Sequence, residues 1–466
     1  MNTPAHTVLS ADRRWWRSRD RRGVLAGSPG TFLRVSENGV AVLDSVEAAH
    51  PVERSVLTSR LVATGAAHPE PGAPVAATDV TVVVPVFAAD TGTVQRVQQL
   101  VDLLAPLAVV VVDDCSPVAV DVRCSAVVRR DTNGGPGAAR NSGLATVGTP
   151  VVAFVDSDVQ ATAADILRLT GHLADPQVAL VAPRVMSRDG LRAVEQYDAL
   201  RSPLDMGPHP ATVRPRSHVP YVPTAVLVTR ADTVRADTVR ADTVRAGFDE
   251  GLRWGEDVEF VWRTVAAGAV CIYDPAVTCT HEPRRGIAAM ISQRFGYGRS
   301  AAGIDSRIPW SVAPVQANVF HVAPLALLLA GQLPWAAAAL AVSVAWTFVA
   351  LHGMGLAPRD RLEVARLSVS SASGALARAV CREWWPAFAV ASAFSQAFTV
   401  ALFMPLSALL LIDLRRSRPS NQALFVVMRL LDWAAYGAGV WAGALERRSP
   451  RCLLPRLSVR RSARAA

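Results

Sequence analysis

A chain of 466 residues, 51% of them hydrophobic and only 19% charged, exceeds one ordinary domain and is too apolar for a wholly soluble enzyme. Its net charge of +9 comes from Arg far more than Lys, and the basic clusters flank apolar stretches, which argues against nucleic acid and for an anionic lipid surface. Six cysteines without CxxC spacing exclude a zinc ribbon or a disulfide framework and predict reduced thiols of a cytosolic compartment, and no apolar run follows Arg13 to Trp16 to make a signal peptide.

In chain order, residues 1–72 form a small domain. Residues 24–29 are a turn-punctuated start, residues 31–35 alternate as a strand, and residues 40–46 and 56–62 carry helical periodicity. A Pro-rich linker closes the segment at residues 67–74. Gly27-Ser28-Pro29, Leu33-Arg34-Val35-Ser36, Gly65 and His68-Pro69 resemble the small winged-helix domains that recognise peptides on peptide-modifying enzymes. That resemblance implies capture of a peptide by strand addition to the wing. A packing domain that binds nothing is the other reading of the same pattern.

From Asp79 the signals alternate between strand and helix: strands at 80–84, 108–112, 151–155 and 178–181, and an amphipathic helix at 93–104. Apolar strands with helical crossovers predict an α/β fold with a mostly parallel sheet, covered on both faces. Ligands then gather at the carboxyl ends of the strands.

The polar residues fall at those ends. Pro85 and Phe87 offer a flat wall for a base ring, and Asp113 and Asp114 close a four-Val strand, where a carboxylate can accept an imide N–H. Gly137 and Arg140 sit in the glycine-rich turn of residues 133–143, and Asp156 and Asp158 come after a fourth apolar run. Taken singly, each is also explained by a helix cap or a turn needing positive φ. The glycine run lacks GK[ST] and the Gly-x-Gly-x-x-Gly register, so neither competing phosphate motif applies.

Together, in this order over residues 79–263, they resemble the inverting family 2 glycosyltransferases of GT-A fold. The resemblance implies a Rossmann-like nucleotide-sugar domain over residues 73–300, with a UDP-hexose as donor. Asp114 would hold uracil, and Arg140 would lie near base and phosphates. Asp158 would ligate a divalent metal, Mg2+ or Mn2+, with Asp156 helping at the ribose or metal. It also implies a later Glu-Asp pair, matched by Glu256 and Asp257, with Asp257 as the general base, and a downstream His, matched by His281, at the metal or diphosphate. Phe87 replaces the usual Tyr, Ala88 or Ala89 the usual Asn or Glu, and Cys115 a usual Gly. Trp254, Arg263 and Arg294 are the acceptor candidates; for Arg294, within residues 293–300, an interfacial helix is the competing reading.

Residues 230–246 hold three tandem copies of Ala-Asp-Thr-Val-Arg, a period of five that matches neither helix nor strand and predicts a lengthened surface helix or loop. Residues 301–466 form a hydrophobic helical region. No Lys, Arg, Asp or Glu occurs in residues 308–358 or 384–412, which predicts membrane spans at 315–333, 334–351 and 385–412, with a weaker one at 424–445. Four spans leave the catalytic domain and basic tail in the cytoplasm, yet place Arg415, Arg416 and Arg418 outside, against the charge rule.

The three regions together resemble the mycofactocin-system glycosyltransferases of actinobacteria. That likeness implies transfer of glucose from UDP-glucose onto a peptide-derived redox cofactor, as a β-linked chain, by an enzyme at the cell membrane. A transferase acting on polyprenyl phosphate or a cell-wall polysaccharide, and a non-catalytic peptide-binding membrane scaffold, are the alternatives.

Overall fold

The computed structural model describes residues 6–28, 30–236, 238–240, 243–284, 286–352 and 356–459. Pro29, Arg285 and the arginines beyond residue 459 lie outside the described residues. Two compact units emerge: Met1–Arg17, Val24–Gly190 and Arg201–Pro283 form the first, and Ser18–Gly23, Leu191–Leu200 and Arg284–Ala466 the second.

The first unit opens with β1 (His6–Ala11), β2 (Trp16–Arg17), β3 (Gly23–Ala26), β4 (Thr31–Arg34), α1 (Glu37–Glu47), β5 (Pro51–Glu53), α2 (Val56–Ala63) and β6 (Ala67–Pro69). They make two small sheets, ordered β5-β1-β6 and β2-β3-β4. The expected strand and both expected helices are present. Ser55 caps α2 in a reciprocal box with Thr58, satisfying donors at the helix start. Asp12 and His68, both buried, meet at 3.1 Å and tie the first strand to the last. Thr212 Oγ1 donates to the Val62 carbonyl at 2.8 Å, and the His218 N–H donates to Ser28 Oγ at 2.8 Å, so the small domain is anchored to the rest of the first unit.

In that remainder, β7 (Val80–Val86), α3 (Thr91–Leu104), β8 (Ala108–Asp113), β9 (Ala126–Arg129), α4 (Pro136–Leu144), β10 (Val151–Val155), β11 (Val159–Gln160), α5 (Ala163–Thr170) and β12 (Val178–Ser187) alternate. Beyond α6 (Ala193–Arg201), which belongs to the second unit up to Leu200, come β13 (Ala211–Thr212), β14 (Val226–Arg230), α7 (Ala231–Arg235), β15 (Thr238–Arg240), β16 (Thr243–Arg245), α8 (Glu256–Ala266) and β17 (Val270–His281). The large sheet runs β11-β17-β12-β14-β10-β7-β8-β9, with β13 on β17. Strands β10, β7, β8 and β9 are mutually parallel, as the apolar runs predict. Strand β14 is antiparallel to both β10 and β12, so the sheet is mixed. An apolar run is the same forwards and backwards, and only the crossover sets its direction.

The first repeat copy is α7, with Ala231 and Val234 buried and Arg235 donating to the carbonyls of Leu144 and Val147. The next two copies pair as an antiparallel hairpin, Thr238 opposite Arg245, with residues 237, 241 and 242 outside the described set. A hairpin, not a longer helix, absorbs the expansion.

The second unit comprises α9 (Ile287–Arg307), β18 (Gln316–Asn318), α10 (Val319–Leu329), α11 (Leu333–Ala350), α12 (Pro358–Arg382), α13 (Trp385–Ser392), α14 (Gln396–Ser417), α15 (Gln422–Glu446) and β19 (Arg456–Ser458). Two expected spans need correction. The one at 315–333 contains an 11-residue helix, because Asn318 accepts the Phe320 N–H as a cap and β18 pairs with β19. The one at 385–412 is broken between α13 and α14, where Ser395 is extended. Helices α11, α14 and α15 are the described helices long and apolar enough to cross a membrane. Helix α15 lies on α9 along a glycine seam: a Cβ at Gly439 would stand 2.1 Å from the Phe295 carbonyl oxygen, and one at Gly443 2.3 Å from that of Arg299.

Candidate active site

Because β8, β7 and β10 are parallel neighbours, their carboxyl ends deliver Asp113–Asp114, Phe87 and Asp156–Asp158 to one sheet edge. Phe87 is 51% exposed there, a ring open to a ligand. Pro85 is not part of that wall, since it is buried in the ladder opposite Val112.

Asp113 and Asp114 are both buried, with partners inside the protein. Asp113 accepts the Ser116 N–H at 2.8 Å and pairs with Arg129. Asp114, expected on uracil, accepts the N–H groups of Gly134 at 3.0 Å and Gly135 at 2.7 Å and faces Arg130 at 2.9 Å. Its carboxylate shapes the glycine turn. Cys115, next in the chain, takes φ +59°, the conformation for which a glycine is the usual choice.

The glycine turn feeds α4 through Gly135 and Pro136. Gly137 is needed for packing, because a Cβ there would come within 3.2 Å of Glu256 Cγ. One turn on, Arg140 is 3% exposed, and its guanidinium donates to Glu256 Oε1 at 2.8 Å and Asp156 Oδ1 at 2.7 Å. It also lies 5.4 Å from the Phe248 ring centroid. This corrects the expectation that Arg140 faces the donor: it is a clamp behind the carboxylates.

Glu256 and Asp257 open α8, where the helix dipole favours negative charge, after Gly255 at φ +79°. Glu256 is buried, and burial raises its pKa, with the charge of Asp257 adding and Arg140 opposing. Burial raises the Asp257 pKa as well; Arg140 and the N–H groups of Val258 and Thr224 oppose that rise, and Asp156 adds to it. Asp257 nevertheless keeps part of its surface open. Three carboxylates therefore share one guanidinium, and negative charge is in excess at the cleft.

That excess fits a hard cation. Asp156, Ser157 and Asp158 are all half-buried at the edge. Among the described residues no group of three His, Cys, Asp or Glu is set to hold a metal. One or two of these carboxylates have the hard oxygen chemistry that a divalent cation takes. The β11–β17 register puts His281 opposite Val159, beside Asp158. Yet His281 is buried with Nε2 3.1 Å from Ser202 Oγ and Nδ1 3.1 Å from the Glu282 carbonyl, so ligation would require Ser202 to yield.

Of the acceptor candidates, Trp254 is 37% exposed just before Gly255. Arg263 is a correction: buried, it donates to Glu259 at 2.9 Å and to the Gly247 carbonyl. Arg294 is another, buried in the second unit against Asp198 at 2.8 Å and Asp432 at 3.3 Å. Sequence reasoning missed three supports: Arg130, Asn141 and Thr224. Asn141 brackets Phe248 by accepting its N–H and donating to its carbonyl, both at 2.9 Å. Asn141 stands inside the glycine-rich motif and was legible there. Thr224 acts through its backbone, which no side-chain pattern reveals.

Residues 81–218 match the family model for glycosyl transferase family 2. Over 474 aligned positions the chain is 33% identical to the pre-mycofactocin glycosyltransferase of Mycobacterium tuberculosis, covering 97% of this chain and 98% of that one, in strains CDC 1551 / Oshkosh and ATCC 25618 / H37Rv alike. Among solved structures, it is similar to S. aureus TarS 1-349, with 18% identity over 50% of this chain and 65% of that one, at a TM-score of 0.36. It is also similar to the mannosyltransferase PcManGT from Pyrobaculum calidifontis in complex with GDP-Man and Mn2+, with 17% identity over 78% and 90%, at a TM-score of 0.36.

Proposed function

Because this chain belongs to the family 2 glycosyltransferases of the mycofactocin system, we propose that it moves a hexose, glucose from UDP-glucose, onto a peptide-derived pre-mycofactocin acceptor. The observation that carries the site reading is the buried guanidinium of Arg140, on which Asp156 and Glu256 converge while Asp257 stands partly open beside them.

Asp257 takes the proton of the acceptor hydroxyl as that oxygen attacks C1 of the sugar. The new C1–O bond forms while the bond from C1 to the diphosphate oxygen breaks, and UDP leaves with the electron pair. Attack opposite the leaving group inverts C1, so an α-linked donor gives a β-linked product, and repetition gives an oligosaccharide. Glu256 acts through Arg140, fixing the start of α8 and with it the aim of Asp257. Phe87 stacks on the base, and Trp254 borders the acceptor. Asp158, with Asp156, would hold the divalent cation; when bound it offsets charge on the departing diphosphate. The small domain's β2-β3-β4 sheet takes the peptide part of the acceptor by strand addition. The enzyme works at the cytoplasmic face of the membrane, where the arginines flanking its apolar helices meet anionic lipid.

The test is Asp257→Asn with radiolabelled UDP-glucose. Transfer should fall by roughly 10²–10⁴-fold, the usual worth of a general base, while donor affinity stays within about threefold. Unchanged turnover would remove Asp257 from the mechanism. Label should enter a small peptide-derived product; label in a lipid extract would favour a polyprenyl phosphate acceptor instead.

A further inference from the structure

The second unit carries two helical hairpins whose arms are unequal. Helix α10 has 11 residues and α13 has 8, so at 1.5 Å per residue they rise about 16 and 12 Å. Their partners α11 and α14 have 18 and 22 residues, about 27 and 33 Å. The arms of each pair run side by side. His321 Nε2 lies 3.1 Å from Thr347 Oγ1, and the rings of Phe320 and Trp346 are 4.6 Å apart. In the second hairpin the rings of Phe388 and Phe398 are 5.6 Å apart. The short arm therefore sets how far each turn stands from its base.

Both bases lie beside one polar segment. Strand β18, directly before α10, pairs with β19, and the Arg456 N–H donates to the Val315 carbonyl at 2.8 Å. Trp384, directly before α13, donates from Nε1 to the Leu453 carbonyl at 2.7 Å. A paired strand edge with Arg456 on it does not sit in hydrocarbon. From that level, arms of 12–16 Å reach through about half of a ~30 Å hydrocarbon core before turning back. The turns carry the residues for it: Leu333 and Trp335 are each 66% exposed and Phe394 is 85% exposed. The longer arms, at about 27 and 33 Å, extend past their short partners beyond the level of the bases.

Helix α15, the remaining long apolar helix, is held by charge. Arg429 meets Asp413 at 2.9 Å, Arg294 meets Asp432 at 3.3 Å, and Tyr197 donates to Asp432 at 2.6 Å. It packs by its glycine seam on α9, and Arg299 of α9 meets Glu446 of α15 at 2.7 Å with both side chains exposed, an ion pair that hydrocarbon does not accept.

We propose that the second unit is a monotopic anchor: α10–α11 and α13–α14 dip into one leaflet of an anionic bilayer and return, and no helix crosses it. All the arginine clusters, Arg359 to Arg366, Arg415 to Arg418 and Arg447 to Arg456, then lie on one side. The conflict with the charge rule, which any odd crossing before Arg415 creates, disappears.

The experiment adds one cysteine at a time, at Gln332, Ser395, Ser420 and Ser458, to the full chain with its six native cysteines replaced by serine, takes that cysteine-free chain as the blank, and treats intact spheroplasts with a membrane-impermeant maleimide. Every crossing topology puts at least one of the four outside. The expected result is no labelling of any from outside, with Ser420→Cys and Ser458→Cys labelled once the cells are permeabilised. Outside labelling of even one overturns the proposal. Separately, Phe394→Arg, at an exposed turn where folding is not at stake, should weaken binding of the purified protein to phosphatidylglycerol-containing vesicles at least tenfold. Undiminished binding overturns the second hairpin's place in the leaflet.

Discussion

Arg140→Met keeps the apolar stem of the side chain and removes the one cation on which three carboxylates lean. The Glu256 pair is fully buried on both sides, whereas the Asp156 side chain is 32% exposed and water takes over part of its loss. Removing one partner of a buried pair costs about 3–5 kcal/mol, and the partial exposure of Asp156 favours the lower end. In a unit of this size that is a fall in Tm of roughly 6–12 °C. The deficit has a pH signature. Without Arg140 the native pKa values of Glu256 and Asp257, already raised, rise further above their unfolded values near 4. A carboxyl group with a raised native pKa supports the fold while protonated and loses that support as pH climbs from the unfolded to the native value. Arg140→Met should therefore lag little near pH 4 and most above neutrality. Glu256→Gln removes the charge left orphaned, so the double variant should be more stable than the sum of the two losses by about 1–3 kcal/mol. Thermal melts of the detergent-solubilised full-length protein at two pH values measure all of this. Additive losses, or a deficit that deepens toward acid, would refute the clamp.

The same electrostatics set the activity profile. Because Asp257 must be ionised to accept a proton and burial raises its pKa, the acid limb of kcat/KM should lie above the ordinary carboxylate range; a limb near 4 would remove Asp257 as the base. Chelation should stop transfer and Mg2+ or Mn2+ restore it, with Asp158→Asn raising the cation concentration for half activity on the order of tenfold; full activity in chelator would refute the cation. Deleting residues 236–240, one unit of the hairpin, should leave kcat/KM within about twofold, whereas Arg235→Ala loses two backbone acceptors and about 1–3 kcal/mol, and equal damage from both would refute the division between first copy and later copies.

The sheet edge was legible because each Val-rich run is followed or closed by a residue of different chemistry: the aromatic Phe87 and the carboxylates of Asp113 and Asp156. Strand direction and chain order then fix where those residues meet. The orientation of Arg140 was not legible, because its deciding partner Glu256 lies 116 residues away and a motif does not distinguish a guanidinium facing a ligand from one facing a buried carboxylate. The two broken spans failed for a different reason. Hydropathy averages over a window, whereas a helix ends at a single group, here the Asn318 side chain accepting one N–H or Ser395 turning extended.

The pentapeptide repeat shows how little of this can reside in a short stretch. Ala-Asp-Thr-Val-Arg is a helical turn at residues 231–235 and strand in the two later copies. Its intrinsic preferences are identical in every copy, so preference cannot be what chooses. The first copy becomes helix where Ala231 and Val234 are buried and the Leu144 and Val147 carbonyls receive Arg235. Residues 238–240 and 243–245 of the later copies pair with each other instead, a choice that requires no further surface from the sheet. A foreign pentapeptide of equal β propensity in place of residues 236–240 should thus be tolerated, while the same exchange at 231–235 should lower Tm.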